Sequence, residues 1–315
     1  MYPTRKESPV ENICPMYPLK LRKWVDKNKI NWTYFSSNPN AIGIIELLIK
    51  NNPEKVDWVW LSDNSNSIHL LEQNIDKINW HRLSLNASAI HLLEKYPDKI
   101  HWDGLSMNTG AIHILEKYPD KIHWKLLSGN PSAIHLLDEE NKKNPNKIDW
   151  FYLSKNPNAI HLIEKELQTN PGNINWWCLS MNTNAIRILE QNIDKINWTS
   201  LSRNPNAIGI LDKNIDNIEW INLSNNSGAI CLLEKFPEKI DWINLSKNTN
   251  AIHLFEQNPE KIRYDFCSNN CNIFEYDYEE MKKCKSILHD ELMEFMLHPD
   301  NYYKFEDWGL KRVID

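Results

Sequence analysis

The chain has 315 residues, a formal net charge of −6 at pH 7 and 41% hydrophobic residues, a share that supports a sizeable core. Nucleic-acid binding calls for clustered Lys and Arg, and a membrane helix needs about 20 consecutive apolar residues, so we expect neither kind of partner. With only 8 Gly, glycine-rich phosphate loops are not expected, whereas 14 Trp and 41 Asn are unusually many.

The first 12 residues are polar and contain no apolar stretch of the kind that marks a secretory signal. Six cysteines are too few for a disulfide scaffold in a chain of this length, so they predict free thiols in a reducing compartment. The expected protein is soluble and intracellular. Residues 1–28 are predicted to form a leader and a helical cap, because Pro18 to Asn28 resembles a degenerate copy of a helix in the repeat described next.

An aromatic residue recurs along most of the chain, at seven intervals of 22 residues and three of 26. We call this residue the anchor and count the positions of each repeat from it. Position +4 is Ser and position +6 is Asn in all eleven repeats. Such a period predicts a stacked repeat architecture. The eleven anchors are Trp32, Trp58, Trp80, Trp102, Trp124, Trp150, Trp176, Trp198, Trp220, Trp242 and Tyr264.

Two short helices are predicted in each repeat. Helix A begins at the anchor, because the preceding residue is usually Asn, Asp or His and suits an N-cap. Helix B follows the Asn at +6, a second N-cap that precedes Pro in four repeats. In the stretch Ala159 to Glu164 the apolar residues fall within about 160° of arc, with His161 opposite. The predicted fold is an all-α solenoid of stacked two-helix repeats.

The three longer repeats support helix B. Their four extra residues follow its apolar face and amount to about one turn of 3.6 residues, which lengthens the helix without rotating its buried side. The alternative is a leucine-rich-repeat-like α/β horseshoe, because 22 residues fits that class and the segment before the anchor could be a short strand. The Leu-x-Leu alternation of such strands is missing, so the all-α fold is preferred.

The repeats are predicted to form one solenoid over residues 29–275. After Tyr264 the pattern decays, and residues 276–315 are predicted to form a C-terminal helical cap. Both ends are interpreted as caps because terminal repeats need an atypical face that stops end-to-end growth.

The ten anchor tryptophans are expected to dominate stability, since each indole buries about 150–250 Å². Two charged columns accompany them. Position +14 is acidic in ten repeats, from Glu46 to Glu256, and position −3 is Lys in nine of eleven. If these columns pair between neighbouring repeats, each exposed pair adds about 0–1 kcal/mol.

Position +11, on the outward side of helix B, is His in six repeats. One interpretation is a metal or phosphate ladder. The other is a solvated helix face with local His–carboxylate pairs, which is favoured because Arg and Gly at the same position in other repeats would interrupt a chain of sites. His91, His113 and His135 are retained as candidate partner contacts on this face.

A group of Cys and His near the C-terminus has spacings that could frame zinc: Cys267, Cys271, Cys284 and His289. Cys267 occupies the core Leu position of helix A, so structural thiols are the preferred interpretation and zinc the weaker one. No other metal and no cofactor are expected. The sequence contains no nucleophile elbow, Walker loop, H-E-x-x-H or dinucleotide motif. Its recurrent Ser and His form columns rather than a single cluster, so we expect no catalytic residues and no enzyme.

Positions +1 and +2 vary in chemistry from repeat to repeat. Helix A is expected to direct them away from the anchor side, where aromatic residues and Arg are typical of protein interfaces. The alternative, weighed equally, is that these side chains pack on the preceding repeat. The candidate partner-binding residues are Tyr34, Trp60, Arg82, Phe151, Tyr152 and Trp177.

Two recurrent segments carry a resemblance to a known family: L-S-K-N-P-N-A-I-H-L-I-E-K at Leu153 to Lys165, and I-D-K-I-N-W at Ile75 to Trp80 and Ile193 to Trp198. They are similar to a Trp- and Asn-rich repeat family abundant in giant nucleocytoplasmic DNA viruses, and the likeness covers about four fifths of the chain. The tail from Asn301 to Leu310 also resembles the ending of such proteins. The resemblance implies expression in an infected host cell and no catalytic residues.

The expected function is a non-enzymatic repeat scaffold that presents an extended surface to another protein, with a host protein as the candidate partner. It would act in the cytoplasm of an infected cell or in the virion. The alternative is a self-assembling structural component of a virus particle or virus factory. Nucleic-acid binding is a third possible function and is less favoured, because the chain carries a net negative charge.

Overall fold

A computed structural model describes residues 18–283 of the chain. It confirms the all-α solenoid of tandem repeats, because repeats 1 to 10 consist of helices alone, and only in repeat 11 does a short strand, starting at Phe274, stand where helix B would begin. Helices are numbered in chain order, so that the A helices have odd numbers and the B helices even ones. The horseshoe alternative is wrong, because within the described residues the segment before each anchor is a 3₁₀ turn followed by two residues, extended in nearly every repeat, that belong to no strand.

Every A helix begins at an anchor. The A helices are α1 (Trp32–Ser36), α3 (Trp58–Leu61), α5 (Trp80–Leu85), α7 (Trp102–Met107), α9 (Trp124–Leu127), α11 (Trp150–Lys155), α13 (Trp176–Met181), α15 (Trp198–Leu201), α17 (Trp220–Ser224), α19 (Trp242–Leu245) and α21 (Tyr264–Cys267). The residue before the anchor caps most of them, as where Asn79 Oδ1 accepts a hydrogen bond from the Arg82 N–H at 2.9 Å.

Every B helix begins with Ile at position +10. The B helices are α2 (Ile42–Asn51), α4 (Ile68–Glu72), α6 (Ile90–Lys95), α8 (Ile112–Lys117), α10 (Ile134–Lys143), α12 (Ile160–Thr169), α14 (Ile186–Glu190), α16 (Ile208–Lys213), α18 (Ile230–Lys235) and α20 (Ile252–Gln257). The three longer repeats carry α2, α10 and α12, which are ten residues long where the others are five or six. The prediction that the insertion adds a turn to helix B is therefore confirmed.

Short 3₁₀ segments connect the α-helices. One precedes each anchor: Lys27–Lys29, Pro53–Lys55, Ile75–Lys77, Pro97–Lys99, Pro119–Lys121, Pro145–Lys147, Pro171–Asn173, Ile193–Lys195, Ile215–Asn217, Pro237–Lys239 and Pro259–Lys261. A second kind follows the Asn at +6 in four repeats: Pro39–Ala41, Ala87–Ala89, Pro131–Ala133 and Cys271–Ile273. The Asn at +6 thus caps a turn, and helix B starts three residues later than the capping pattern predicts.

The fully buried core comes from three columns, at positions +3, +9 and +13. In the sixth repeat these are Leu153, Ala159 and Ile163, and none of the three exposes any surface. The anchors are only half-buried. The largest contribution to the interior therefore comes from the aliphatic columns, whereas the sequence pattern points to the tryptophans.

Lysines at position −3 cover part of the anchor rings that the core leaves exposed. Each of six such lysines places its ammonium group over the anchor ring of the preceding repeat, as Lys77 does 4.7 Å from the Trp58 ring centre. This cation–π contact covers an indole face that the aliphatic core leaves open. The other pairs are Lys55–Trp32, Lys147–Trp124, Lys195–Trp176, Lys261–Trp242 and Lys29–Tyr264. In these six repeats the lysine thus contacts an anchor ring rather than the acidic residue at +14.

Buried asparagines at +6 join each repeat to the one before it. The Asn156 side chain donates two hydrogen bonds, to the carbonyl oxygens of Ser128 and Asn130, both at 3.0 Å. Its Oδ1 atom accepts a third from the Asn158 N–H. All eleven +6 asparagines donate to the carbonyl oxygen of a +4 serine, and ten of them also donate to that of the preceding +6 asparagine, Asn108 being the exception. The position requires an amide because neither Asp nor Ser offers two donors and an acceptor.

Buried serines at +4 form a second ladder. Ser154 Oγ donates to the Trp150 carbonyl oxygen at 2.6 Å and accepts a hydrogen bond from the Asn175 N–H of the next repeat at 3.1 Å. The accepting bond recurs from each repeat to the next. Both invariant columns are thus explained as bonds between repeats.

Both ladders continue from repeat 11 to repeat 1. The Asn38 side chain donates to the carbonyl oxygens of Ser268 and Asn270, at 3.1 and 3.0 Å, and the Asn31 N–H donates to Ser268 Oγ at 2.9 Å. Because every junction is then satisfied, the unit from Lys23 to Ile273 is a closed ring of eleven repeats. We call the junction between repeats 11 and 1 the seam. The predicted end caps are not needed there, because neither terminal repeat leaves a free face.

The flanks of the repeats belong to a separate unit, described over residues 18–22 and 274–283. Within it, strand β1 (Leu19–Leu21) pairs antiparallel with strand β2 (Phe274–Tyr276), with Leu19 opposite Tyr276. The helix predicted within residues 18–28 is wrong, since that range holds β1 and a 3₁₀ turn. Residues 278–283 are helical, and the rest of the predicted C-terminal cap lies outside the described residues.

Candidate interaction surface

The residue at +1, directly after each anchor, is exposed in all eleven repeats. Between residues 18 and 283, adjacent A helices such as α5 and α7, or α11 and α13, approach within 8 Å between Cα atoms at several residues, and no adjacent B helices do so. The neighbours on the inner side of a ring lie closer together, so the A helices line its concave side. The +1 residues of this inner column are Thr33, Val59, His81, Asp103, Lys125, Phe151, Trp177, Thr199, Ile221, Ile243 and Asp265.

Repeats 6 and 7 contain an aromatic cluster formed by Phe151, Tyr152 and Trp177. The Phe151 and Trp177 rings stack at 6.0 Å with an interplanar angle of 14°, and they remain 46% and 45% exposed. The Tyr152 ring meets Phe151 edge-on at 5.4 Å, and the Lys125 ammonium lies over it at 5.8 Å. The structure thus brings three of the predicted residues together, partly packed on one another and partly open to solvent.

Repeats 1 to 3 bring together the other three predicted residues. Tyr34 meets Trp60 edge-on at 5.7 Å, and the Arg82 guanidinium lies over the Trp60 ring at 4.5 Å. Arg82 also forms an ion pair with Asp63 at 3.8 Å. The Trp60 ring and the Arg82 guanidinium are thus already engaged by side chains of the protein, so they offer less to a partner than the aromatic cluster does.

The predicted histidines lie on the B helices and do not join either group. His91, His113 and His135 each contact an acidic side chain at +14 of the preceding repeat: Glu72 at 2.9 Å, Glu94 at 3.0 Å and Glu116 at 2.7 Å. The expectation of local pairs is therefore corrected, because the pairs cross from one repeat to the next. The other three histidines of this column form the same contact, in the pairs His69–Glu46, His161–Asp138 and His253–Glu234.

Two members of the proposed zinc group lie within the described residues. Cys267 is buried at the core position of α21, and desolvation raises the pKa of its thiol to about 12, which disfavours the thiolate that zinc binds. Cys271 is half-buried in the turn that follows. Cys284 and His289 lie outside the described residues. Between residues 18 and 283, no three His, Cys, Asp or Glu side chains group together as metal ligands would.

Sequence reasoning missed a cavity at the seam. It has a volume of about 480 Å³, and its walls include Tyr34 of repeat 1 and Lys247, Asp265 and Phe266 of repeats 10 and 11. Tyr34 is one of the predicted contact residues, whereas Asp265 and Phe266 were missed because the pattern was interpreted as decaying within repeat 11. The signal that could have found them is its intact ladder pair, Ser268 and Asn270, which a terminal cap would not need.

Comparison with known proteins gives no relative: no family model, no curated protein and no solved structure matches the chain. Between residues 18 and 283, none of the helices has the length and apolar character needed to cross a bilayer.

Proposed function

We propose that the protein is a non-enzymatic ring scaffold whose concave surface binds another protein, and that the aromatic cluster Phe151, Tyr152 and Trp177 is the centre of that surface. The observation that carries this proposal is the stacked Phe151–Trp177 pair, which is nearly half exposed on a column that varies in chemistry. Large aromatic side chains supply most of the binding energy at protein interfaces.

The ladders support this role because they hold the cluster on a preorganised frame. Phe151 and Trp177 come from adjacent A helices, α11 and α13, which are joined by the bonds of Asn182 to Ser154 and Asn156. A rigid surface loses little conformational entropy on binding, which favours affinity. The apolar column continues through Ile221 and Ile243, which are also exposed.

A non-enzymatic role is supported by how the recurrent polar residues are used. The hydroxyl of each +4 serine that could act as a nucleophile is engaged with backbone groups, as Ser154 is on both sides. The +11 histidines are engaged with carboxylates of neighbouring repeats. These contacts account for both columns without catalysis.

The partner is proposed to be a host protein, in an infected cell's cytoplasm or in the virion, on the strength of the family resemblance. Self-assembly is less well supported, because repeats 1 and 11 bond to each other and leave no repeat face for end-to-end growth. We expect the mass measured in solution to be that of a 37.3 kDa monomer. A larger species at micromolar concentration would favour the structural role instead.

The proposal is tested by affinity capture from host lysate with matched variants. Phe151→Ala combined with Trp177→Ala removes the stacked pair, while Ile193→Ala combined with Ile215→Ala removes similarly exposed apolar groups from the 3₁₀ turns. We expect a protein that is captured by the native chain and the control but lost by the first variant. Capture that is unchanged by the first variant, or capture of nothing by the native chain, contradicts the proposal.

A further inference from the structure

Four repeats carry an aromatic residue at +2, and three of them hold a cation of the protein over the ring. Arg82 lies over Trp60 at 4.5 Å, Lys125 over Tyr152 at 5.8 Å and Lys247 over Phe266 at 4.6 Å. The fourth is Tyr34, and no cation among residues 18–283 lies over it. Its ring instead lines the cavity at the seam.

The same cavity contains a carboxylate without a counter-ion. Asp265 lines the cavity and is exposed, and its side chain forms no ion pair or hydrogen bond with any residue that the structure describes. Lys247 also lines the cavity, but it is committed to the Phe266 ring. The lining of the cavity therefore includes both an aromatic ring, that of Tyr34, and the negative charge of Asp265.

We propose that this cavity binds the guanidinium group of an arginine presented by a partner protein, which stacks on Tyr34 and pairs with Asp265. The protein contains its own template for this arrangement, since Arg82 lies over the Trp60 ring and pairs with Asp63. Arginine suits the site better than lysine because its planar, weakly hydrated group stacks on rings and presents several donors at once. The cavity volume leaves room for the whole side chain.

This inference shares with the proposed function only the premise that the partner is a protein, and the seam cavity is a different site from the aromatic cluster. The probe is therefore a small molecule, N-acetyl-arginine amide, rather than an unidentified protein. Binding is followed by amide chemical shifts of the isotope-labelled full chain. If the arginine analogue does not bind, the proposal tested by capture with Phe151 and Trp177 still stands. If that capture experiment fails, the arginine site can still be tested.

Three comparisons test the site. We expect saturable shifts at the amides of Tyr34, Asp265 and Phe266, and binding of the neutral analogue N-acetyl-citrulline amide that is weaker by about tenfold, because it lacks the charge. Asp265→Asn is expected to weaken arginine binding by about fivefold. The matched control is Asp103→Asn, an exposed acid at the same position of repeat 4, which should leave binding unchanged.

The aromatic half of the site has its own pair of variants. Tyr34→Ala is expected to abolish measurable binding, whereas Tyr152→Ala, at the same position of repeat 6, is expected to preserve it. All these positions have solvent-accessible side chains, and thermal unfolding confirms that each variant is folded. Equal binding of citrulline, no effect of Asp265→Asn, or the same shifts with N-acetyl-glutamate amide, which would implicate Lys247, overturns the proposal.

Discussion

The seam and the junctions inside the chain are built from the same hydrogen bonds, but only the internal junctions are also joined by the polypeptide. At the seam Asn38 bonds to Ser268 and Asn270 as Asn156 bonds to Ser128 and Asn130 inside the chain. Recognition between adjacent repeats therefore needs no covalent link. It follows that the seam is the junction that can separate while the others stay formed.

The two junctions also differ in what surrounds these bonds. Inside the chain, Tyr34 and Trp60 form the one pair of adjacent aromatic +2 residues, and their rings contact each other. At the seam, Tyr34 and Phe266 line a common cavity, whose walls extend to Asn225 of repeat 9. The hydrogen-bonded ladder is thus alike inside the chain and at the seam, while the side chains around it differ between the two kinds of junction.

The largest effect is expected from a change inside an internal junction. Asn156→Asp replaces two donors with a carboxylate that faces the carbonyl oxygens of Ser128 and Asn130. We expect a loss of more than about 3 kcal/mol in the free energy of unfolding, since a buried charge meets acceptors only. Urea unfolding measures it. The control is Asn158→Asp, an exposed neighbour with one inter-repeat bond, for which a loss above about 1 kcal/mol would contradict the account.

The same substitution at the seam should have a smaller global effect. Asn38→Asp loses the equivalent bonds, but repeats 1 and 11 can separate without unfolding the rest of the ring. We expect faster hydrogen exchange at the Asn31 amide, which bonds to Ser268, and unchanged exchange at the Asn197 amide, which bonds to Ser180. A global loss as large as that of Asn156→Asp, with both amides affected alike, would show that the seam is not separable.

The close approach of backbones between repeats can be tested at Gly228. A Cβ atom there would lie 2.4 Å from the Pro205 carbonyl oxygen, so Gly228→Ala must push repeats 8 and 9 apart, and we expect a loss of about 1–3 kcal/mol. Gly209, in α16, has no atom within 4 Å of such a Cβ. Gly209→Ala should therefore stabilise the protein by about 0.5–1 kcal/mol. Thermal and urea unfolding of the two variants measure these changes in stability. The same change in both variants would refute the steric argument.

The smallest effect concerns an ion pair that the longer helix α10 adds. Glu140 Oε1 lies 2.8 Å from Lys147 Nζ, and this bond lowers the pKa of the carboxyl below its ordinary value of 4.5, although burial opposes the shift. A lowered pKa means that the pair stabilises the protein at neutral pH and is lost as the pH falls through that range.

We therefore expect Glu140→Gln to flatten the loss of unfolding free energy between about pH 5 and pH 3, by about 1 kcal/mol or less. Glu139→Gln serves as the control, since Glu139 forms an exposed pair with Lys143 on the same helix. Urea unfolding at both pH values measures the difference. If the free energy of unfolding of Glu140→Gln fell more steeply with decreasing pH than that of the native chain, the conclusion that the ion pair lowers the pKa of Glu140 would be wrong.

The helices were predictable from the sequence because their signals are local. Capping residues, the apolar spacing of helix B and a four-residue insertion lie within one repeat. They predicted the A helices and the extra turn of α10 and α12, although helix B begins three residues later than predicted. The exposed aromatic residues were also predictable, because Phe151 and Trp177 occupy a column that varies directly after the nearly constant anchor column. Local patterns therefore identify both the frame and its candidate surface.

Closure of the ring was not predictable in the same way, because it depends on curvature summed over eleven repeats. Nothing within one repeat fixes that sum. The hydrogen-bond partners of Ser at +4 and His at +11 were missed for a related reason. Both residues bond across a junction to the neighbouring repeat, and the spacing of residues along the chain does not show which side chains lie beside a helix. The seam cavity was unpredictable for both reasons, because Asp265 and Tyr34 are far apart in sequence and come together only when the ring closes.

The closed ring is tested most directly by a distance across the seam. Spin labels attached through unnatural amino acids at Thr33 and Asp265 report on repeats 1 and 11, and labels at Thr199 and Ile221 report on the adjacent internal repeats 8 and 9. All four positions are exposed at +1. The account predicts the same distance distribution for both pairs. A seam distance longer than the internal one by more than about 10 Å, one helix spacing, would show that the repeats form an open solenoid.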